Sequence, residues 1–168
     1  MLRTSNRITA AELLALLFLL PLAGSAAGGH RPLQIEMLAL HNGVRARVGV
    51  PPLIWSDRLA SRAQDWANTL VSRNEFFHRP NSSFGENLFA ITGAPSSPAE
   101  VIDAWAGESR DYNYRSNRCR GVCGHYTQLV WRNTREVGCA MGYSRRENRE
   151  VWVCNYDPPG NYIGERPW

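Results

Sequence analysis

Two stretches in the last third of the chain decide the fold class. Gly124–Trp131 reads Gly-His-Tyr-Thr-Gln-Leu-Val-Trp, and Val153–Asn161 reads Val-Cys-Asn-Tyr-Asp-Pro-Pro-Gly-Asn. Aromatic and β-branched residues are frequent in and around both stretches, which is typical of strands. We therefore predict β-structure over residues 126–131, 137–143 and 151–156.

Helices are predicted upstream of these strands. Apolar residues recur at steps of three and four from Leu33 to Val48, which indicates one helix that ends near Gly49. A second helix begins near Ser56 or Asp57, because both residues are good N-caps. A third begins at Ser97-Pro98-Ala99-Glu100, which combines an N-cap, a Pro at the first helical position and a capping-box Glu.

The order of these elements favours an α+β fold. A short strand is expected over residues 84–91, and the tail 158–168 is rich in Pro and Gly, so we expect it to be irregular and anchored by Tyr162, Ile163 and Trp168. Helices come first and most strands come last. This order predicts helices that cover a largely antiparallel sheet.

The N-terminus resembles a secretory signal peptide. Arg3 and Arg7 precede an apolar run over Leu13–Leu20, and small residues follow it. A run of about 8–10 residues is too short to span a bilayer, which needs about 20, although a short membrane anchor is the alternative interpretation. We predict a signal peptide over residues 1–27 and one domain over residues 33–168.

The composition of the chain limits the classes of partner that we expect the protein to bind. The formal net charge is +4, and all 19 basic residues are Arg, without a run that would build a nucleic-acid-binding face. No later stretch is apolar enough to cross a membrane. We expect a single exported domain that binds no nucleic acid and is not an integral membrane protein.

The four cysteines are Cys119, Cys123, Cys139 and Cys154. An even number behind an export signal indicates two disulfides, and four cysteines allow three pairings. Cys119 and Cys123 are near enough to close a small loop, and Cys139 and Cys154 lie in segments that could form a hairpin. A zinc site made of four thiolates is the alternative, and the spacing fits it poorly.

Three residues could carry chemistry: His78, which lies in the loop before Gly85-Glu86-Asn87, Glu108 and His125. Glu108 lies on the inward face of the third predicted helix, and a buried carboxylate needs a partner. Imidazoles could donate hydrogen bonds to it or share a divalent metal with it. The alternative is a set of unrelated, hydrogen-bonded polar residues. Within the loop after the second helix, Asn81-Ser82-Ser83 matches the N-glycosylation sequon, which matters only in a eukaryotic host.

Several segments together resemble the CAP family, which comprises cysteine-rich secretory proteins, antigen 5 and pathogenesis-related class 1 proteins. The resemblance is closest to the plant pathogenesis-related class 1 branch and covers nearly all of residues 33–168. The matching segments are Gly124–Trp131, Val153–Asn161, Phe84–Leu88, Trp105 with Glu108, and His41-Asn42 with Arg45.

The resemblance implies a three-layer α–β–α sandwich with a cleft lined by His78, Glu86, Glu108 and His125. It implies that His78 and His125 could hold Zn²⁺ or another divalent cation, which folding does not require, while the two carboxylates orient the imidazoles. It also implies the disulfide pairs Cys119–Cys123 and Cys139–Cys154.

The function that the resemblance implies is a secreted, non-enzymatic binding role connected with defence or host interaction. The expected location is extracellular, or periplasmic in a Gram-negative host. Expected partners are a sterol, a fatty acid or another lipid, or an extracellular protein. No nucleophile–base arrangement stands out, so no catalytic residue is assigned. A metal-assisted hydrolase or protease remains an alternative, as does a precursor that releases the tail 158–168 as a signalling peptide.

Overall fold

The computed structural model describes residues 30–168, so the predicted signal peptide lies outside the described residues and stays a prediction. The helices are α1 (His30–Arg47), α2 (Asp57–Arg73), α3 (Pro98–Gly107) and α4 (Gly124–Leu129), with a 3₁₀ turn at Glu108–Arg110. The strands are β1 (Ile54–Trp55), β2 (Gly85–Thr92), β3 (Tyr112–Asn113), β4 (Arg118–Cys119), β5 (Glu136–Ser144) and β6 (Arg149–Asp157).

The central sheet has the strand order β1-β5-β6-β2. The β5–β6 and β2–β6 pairs are antiparallel, and the two-residue β1 pairs parallel with β5. The predicted hairpin over residues 137–156 is thereby confirmed. Strands β3 and β4 form a separate short ladder. Because β2 ends the strand order, one side of β2 is an edge of the sheet.

Strand β6 shows how the sheet lies between two helical layers. Val151 and Val153 belong to a core that contains the apolar face of α2. The alternate residues Trp152, Cys154 and Tyr156 belong to a second core with residues of α1, α3 and α4. Successive side chains of a strand point to opposite faces, so the two cores lie on opposite faces of the sheet. The α–β–α sandwich is confirmed.

Helix α2 packs closely on the sheet because glycine allows its backbone to approach. A Cβ atom at Gly142 in β5 would stand 2.8 Å from the Ala67 carbonyl oxygen of α2. The buried face of α2 repeats with the period of the helix, and its members are Leu59, Ala63, Trp66, Ala67 and Leu70. The capping box at Ser97 and Glu100 is also present. In the described part of the chain, we find no helix with both the length and the apolarity needed to span a bilayer.

Both disulfides have the expected pairing. We call Cys139–Cys154 the hairpin disulfide, because it joins directly opposed residues of β5 and β6. We call Cys119–Cys123 the loop disulfide, because it joins β4 to the residue before α4. The hairpin disulfide is buried, whereas Cys119 of the loop disulfide is exposed.

The predicted strand over residues 126–131 is wrong, because residues 126–129 lie in α4 and Val130 is the C-cap of this helix. Its backbone bonds are local, with Thr127 N–H donating to Cys123 and Val130 N–H donating to Tyr126. Tyr126, Thr127, Gln128 and Leu129 are all buried, so no helical stripe of apolar residues marks the segment in sequence.

The tail is anchored by fewer residues than predicted. Ile163 is fully exposed, so the prediction that it anchors the tail is wrong, whereas the half-exposed Tyr162 contacts the Trp131 ring at a centroid distance of 6.1 Å. Ile163 lies within a turn that is closed by a hydrogen bond from the Glu165 N–H to the Tyr162 carbonyl. Trp168 instead packs against aromatic rings, at centroid distances of 4.9 to 5.9 Å, namely those of Tyr112, Tyr114 and Tyr126.

Candidate functional site: two histidine–glutamate pairs beside strand β2

The first pair joins the loop after α2 to the start of β2. His78 Nδ1 lies 2.8 Å from Glu86 Oε1, and the same oxygen accepts a hydrogen bond of 3.0 Å from the Arg79 backbone N–H. The Glu86 side chain is only 5% exposed, whereas that of His78 is 64% exposed. A buried carboxylate on the strand therefore holds an imidazole that solvent can reach.

The Glu86 carboxylate determines the tautomer of the His78 imidazole and influences its pKa. An ionised carboxylate only accepts hydrogen bonds, so Nδ1 of His78 must donate and Nε2 is left as the nitrogen with a lone pair. The hydrogen bond to Glu86 raises the pKa of His78 above its ordinary value of 6.5; burial opposes this shift, and the negative charge of Glu86 adds to it. The His78 imidazole is therefore more readily protonated than that of a histidine without such a partner.

The second pair joins the 3₁₀ turn after α3 to the beginning of α4. His125 Nδ1 lies 2.6 Å from Glu108 Oε1. The other oxygen, Oε2, accepts from the backbone N–H groups of His125 and Tyr126 at 2.9 and 3.2 Å. Glu108 therefore satisfies two free N–H groups of the first turn of α4 and orients the imidazole that this turn carries.

Trp105 supports the second pair from α3. Its indole ring stacks on the His125 imidazole with a centroid distance of 6.0 Å and an interplanar angle of 21°. The indole N–H donates to the Leu88 carbonyl of β2 at 3.1 Å. Trp105 is nearly fully buried, so it fixes the position of the ring beside the edge of the sheet.

The two pairs lie beside one short segment of β2. Glu86 and Asn87 are consecutive residues of an extended strand, so their side chains point to opposite faces. Glu86 shares its face with Leu88, which packs in the core under α2. The Asn87 amide donates to the His125 carbonyl at 3.1 Å on the other face. The structure thus connects the pairs through the backbone of β2, with each histidine bound to its own glutamate.

Among residues 30–168, one group brings three donor atoms of the metal-binding residue types within 4.8 Å of one another, and it consists of His41, Cys139 and Cys154. The two sulfurs form the hairpin disulfide, and both nitrogens of His41 are in hydrogen bonds, to the Met37 carbonyl at 2.7 Å and the Tyr156 hydroxyl at 2.9 Å. This group is structural. The four predicted cleft residues do not form such a three-donor group.

Polar atoms without partners lie near Glu86. Oε2 of Glu86 is buried and makes no hydrogen bond within the described chain, and the same holds for both amide atoms of Asn155, which is directly opposite on β6. A buried carboxylate oxygen without a partner keeps the capacity to accept a further bond. The sequence analysis quoted Asn155 only as part of a motif, because its position opposite Glu86 depends on strand register.

A separate cavity of about 280 Å³ lies where α1, α2 and β5 meet. Leu33, Trp55 and Ala140 contribute apolar surface, and Asp57 and Gln64 contribute polar groups. Ligand pockets for drug-sized molecules are about 300–1,000 Å³, so this cavity suits a small ligand or the end of a chain. It is lined by none of the four predicted site residues.

The fold and the paired residues define a disulfide-bridged α–β–α sandwich with two carboxylate–histidine pairs. The chain belongs to the cysteine-rich secretory protein family, CAP, whose model matches residues 38–156. Among its relatives, Pathogenesis-related protein PR-1 of Medicago truncatula is 43% identical over 141 residues, which are 82% of this chain and 80% of the relative. Pathogenesis-related leaf protein 4 of Solanum lycopersicum is 45% identical over 137 residues, or 79% of this chain and 82% of the relative.

Solved structures show the same fold. Venom allergen-like protein 4 of Schistosoma mansoni is 28% identical with a TM-score of 0.65, over 80% of this chain and 92% of that chain. The crystal structure of NaASP2 with Zn²⁺ superposes with a TM-score of 0.64 at 23% identity, over 80% of this chain and 84% of that chain. At this identity the likeness shows the fold alone.

Proposed function

We propose that this chain is a secreted, non-enzymatic binding protein with a defence-related role, and that its two histidine–glutamate pairs hold a divalent cation. The defence role is supported by relatives at 43% and 45% identity that are named pathogenesis-related proteins. An extracellular location is supported by the two disulfides, which persist in oxidising compartments.

The observation that carries the metal proposal is the bonding of each imidazole. In both pairs Nδ1 faces a glutamate oxygen, at 2.8 Å for His78 and 2.6 Å for His125. Histidines that bind metals commonly donate their other ring N–H to a carboxylate, which fixes the tautomer and raises the basicity of the ligating nitrogen. The free nitrogen is then Nε2, and imidazole nitrogen is a preferred ligand of zinc, copper and nickel ions.

The residues fit a weakly held cation rather than a closed structural site. Nε2 of His78 and Nε2 of His125 would be the protein ligands, with solvent completing the coordination, and Oε2 of Glu86 has acceptor capacity left. The bound cation would supply a positive charge that attracts an anionic group of a partner. Folding would not depend on it, because neither His78 nor His125 belongs to the hydrophobic cores on the two faces of the sheet.

Calorimetric titration of the purified, disulfide-intact protein with Zn²⁺ at pH 7.5 tests the proposal. We expect one saturable site, and we expect His78→Asn and His125→Asn each to weaken binding at least about tenfold, since removing groups around a metal commonly costs 10–100-fold in affinity. Acidification should weaken binding as His78 becomes protonated.

His30→Asn is the matched control, because cleavage after Ala27 would leave a chain that begins Gly28-Gly29-His30, whose terminal amine and imidazole can bind metals by themselves. Binding that survives both His78→Asn and His125→Asn but disappears in His30→Asn would contradict the proposed site. Thermal unfolding of each variant checks that it is folded.

The cavity between α1, α2 and β5 supports a second binding function. Its volume of about 280 Å³ and its apolar wall fit the end of an acyl chain better than a whole sterol. Displacement of a fluorescent fatty acid should therefore be saturable, and Ala60→Trp, which fills the cavity from α2, should abolish it. Equal displacement by the wild type and by Ala60→Trp would show that the fatty acid binds elsewhere.

A further inference from the structure

The loop between α2 and β2 carries Asn81-Ser82-Ser83, which matches the pattern Asn-x-Ser/Thr without a proline in the middle. We propose that Asn81 is the attachment site of an N-linked glycan in the exported protein. The inference goes beyond metal or lipid binding, and it rests on the export that the proposed function includes.

The chain before Asn81 is fixed to α2 by Arg79. The guanidinium lies 2.7 Å from the Asp65 carboxylate and donates to the Arg62 carbonyl at 3.3 Å. It also lies over the Trp66 ring, 5.5 Å from its centroid. The incoming side of the turn is therefore held against the helix.

The chain after Asn81 is fixed to the same helix. The Phe84 ring lies beneath the guanidinium groups of Arg58 and Arg62, which are 5.0 and 5.1 Å from its centroid. The Ser82 hydroxyl accepts from the Phe84 N–H at 3.2 Å and from Arg62 at 3.4 Å. Both ends of the turn are bound to α2, so its apex projects away from the protein.

Asn81 and Ser83 are at this apex. Asn81 has a φ of 54°, in the left-handed region that Asn tolerates, and both residues are exposed. The Asn81 amide and the Ser83 hydroxyl make no hydrogen bond to the described part of the chain, whereas the intervening Ser82 hydroxyl does. The two groups that the sequon requires are therefore free, and the neighbouring Pro80 is also exposed.

The modification needs one co-reactant, a lipid-pyrophosphate-linked oligosaccharide of the eukaryotic secretory pathway. Nδ2 of Asn81 forms a bond to the anomeric carbon of the sugar as the bond from that carbon to the pyrophosphate oxygen breaks. The amide loses one proton, the lipid pyrophosphate leaves, and nothing is oxidised or reduced. The folded protein accommodates the product because a bulky, hydrated glycan at an exposed apex displaces no packed side chain.

The position of the glycan bears on access to the site. Asn81 follows the exposed His78 closely in sequence, and Arg79 between them is bound to both α2 and Glu86. A glycan on this turn stands beside the His78–Glu86 pair. It would obstruct a large partner that approaches from this side more than it would obstruct an ion.

Expression of the full chain in a eukaryotic secretory host, followed by peptide mass spectrometry of the medium, tests the inference. We expect the peptide that contains Asn81 to carry a hexosamine-based glycan, and a peptide amidase that releases N-glycans should convert Asn81 to Asp. Asn81→Gln and Ser83→Ala should each lose the entire mass shift. Ser83→Thr and Ser82→Ala are the matched controls and should keep it, because neither removes the acceptor amide or the required hydroxyl.

Two negative results are distinguishable. Protein recovered from the medium with Asn81 unmodified overturns the glycan and leaves the export intact. Protein that stays within the cell without a glycan overturns both the export and the glycan. Retention of the mass shift in Asn81→Gln would overturn the assignment of the site.

Discussion

Replacement of Arg45 by Met tests how the fold supports the second pair. Arg45 is fully buried, and its guanidinium donates four hydrogen bonds to backbone carbonyl oxygens, at 2.7 Å to Pro51, 2.9 Å to Leu129, 2.9 Å to Trp131 and 3.2 Å to Thr134. These bonds fasten α1 to the end of α4, the helix that carries His125. Burial lowers the pKa of Arg45 to about 10, so the group stays charged at neutral pH.

The expected loss of stability in Arg45→Met follows from the carbonyl oxygens that would lose a hydrogen bond. Methionine fills a similar length of the site but donates nothing, so the Leu129 and Thr134 carbonyls, whose bonds to Arg45 are buried, lose their partner, whereas the Trp131 carbonyl keeps its bond from the Thr134 N–H. Each orphaned buried acceptor costs about 1–3 kcal/mol. Removal of a desolvated guanidinium offsets part of this cost. We therefore expect the free energy of unfolding to fall by about 2–4 kcal/mol, because two orphaned buried acceptors cost about 2–6 kcal/mol together before this offset.

Urea unfolding with the disulfides intact, followed by tryptophan fluorescence, measures the change. Arg47→Met is the matched control, because Arg47 is exposed on the same helix and should change stability by no more than about 0.5 kcal/mol. Arg45→Lys should be intermediate, since an ammonium has three donors in a different geometry. A loss in Arg45→Met within about 1 kcal/mol of the Arg47→Met value would refute the reasoning that the four carbonyls depend on this guanidinium.

Three further predictions concern other parts of the fold. Burial lowers the pKa of His41 from 6.5 to about 4, so between these pH values the unfolded chain protonates His41 and the folded protein does not. The free energy of unfolding should therefore fall by about 3 kcal/mol as the pH drops from 6.5 to 4. His41→Gln should remove this pH dependence when unfolding in urea is measured across the same range. Mild dithiothreitol should reduce the loop disulfide before the hairpin disulfide in alkylation mass spectrometry, since Cys119 is exposed; simultaneous reduction would contradict this. Trp168→Ala should lower the unfolding free energy by about 2–3 kcal/mol through the lost aromatic contacts, whereas the fully exposed Ile163→Ala should leave it unchanged.

The elements that the sequence predicted correctly are those with local causes. The capping box of α3 is a pair of contacts between Ser97 and Glu100, residues three positions apart, so it can be recognised from the sequence alone. The same holds for the stripe of α2 that begins at Leu59, because its period is that of the helix itself. The β5–β6 hairpin could be predicted from two strand-like segments around one short charged turn.

The elements that the sequence did not predict have distant causes. Helix α4 depends on the Glu108 carboxylate, which accepts from the backbone N–H groups of His125 and Tyr126. His41 and Arg45 are polar residues of α1, yet both are fully buried, because the Tyr156 hydroxyl and backbone carbonyls from later parts of the chain bind them. A residue whose role is fixed by contacts more than 80 positions away gives no periodic signal in its own helix.

The candidate site shows the same division. The resemblance to the CAP family named the four residues, and the structure divides them into two pairs that are built differently. Glu86 is a buried strand residue that holds an exposed imidazole and one loop N–H. Glu108 is bound to an imidazole and to two N–H groups of the helix that carries this imidazole.

Because loss of Glu108 would free the imidazole and uncap α4 together, the geometry of the second pair is inseparable from the stability of α4. The first pair can lose its imidazole while β2, held by its ladder to β6, keeps its place. A cation bound between the pairs would therefore join a rigid ligand on α4 to an adaptable one on the loop, an arrangement that suits reversible binding.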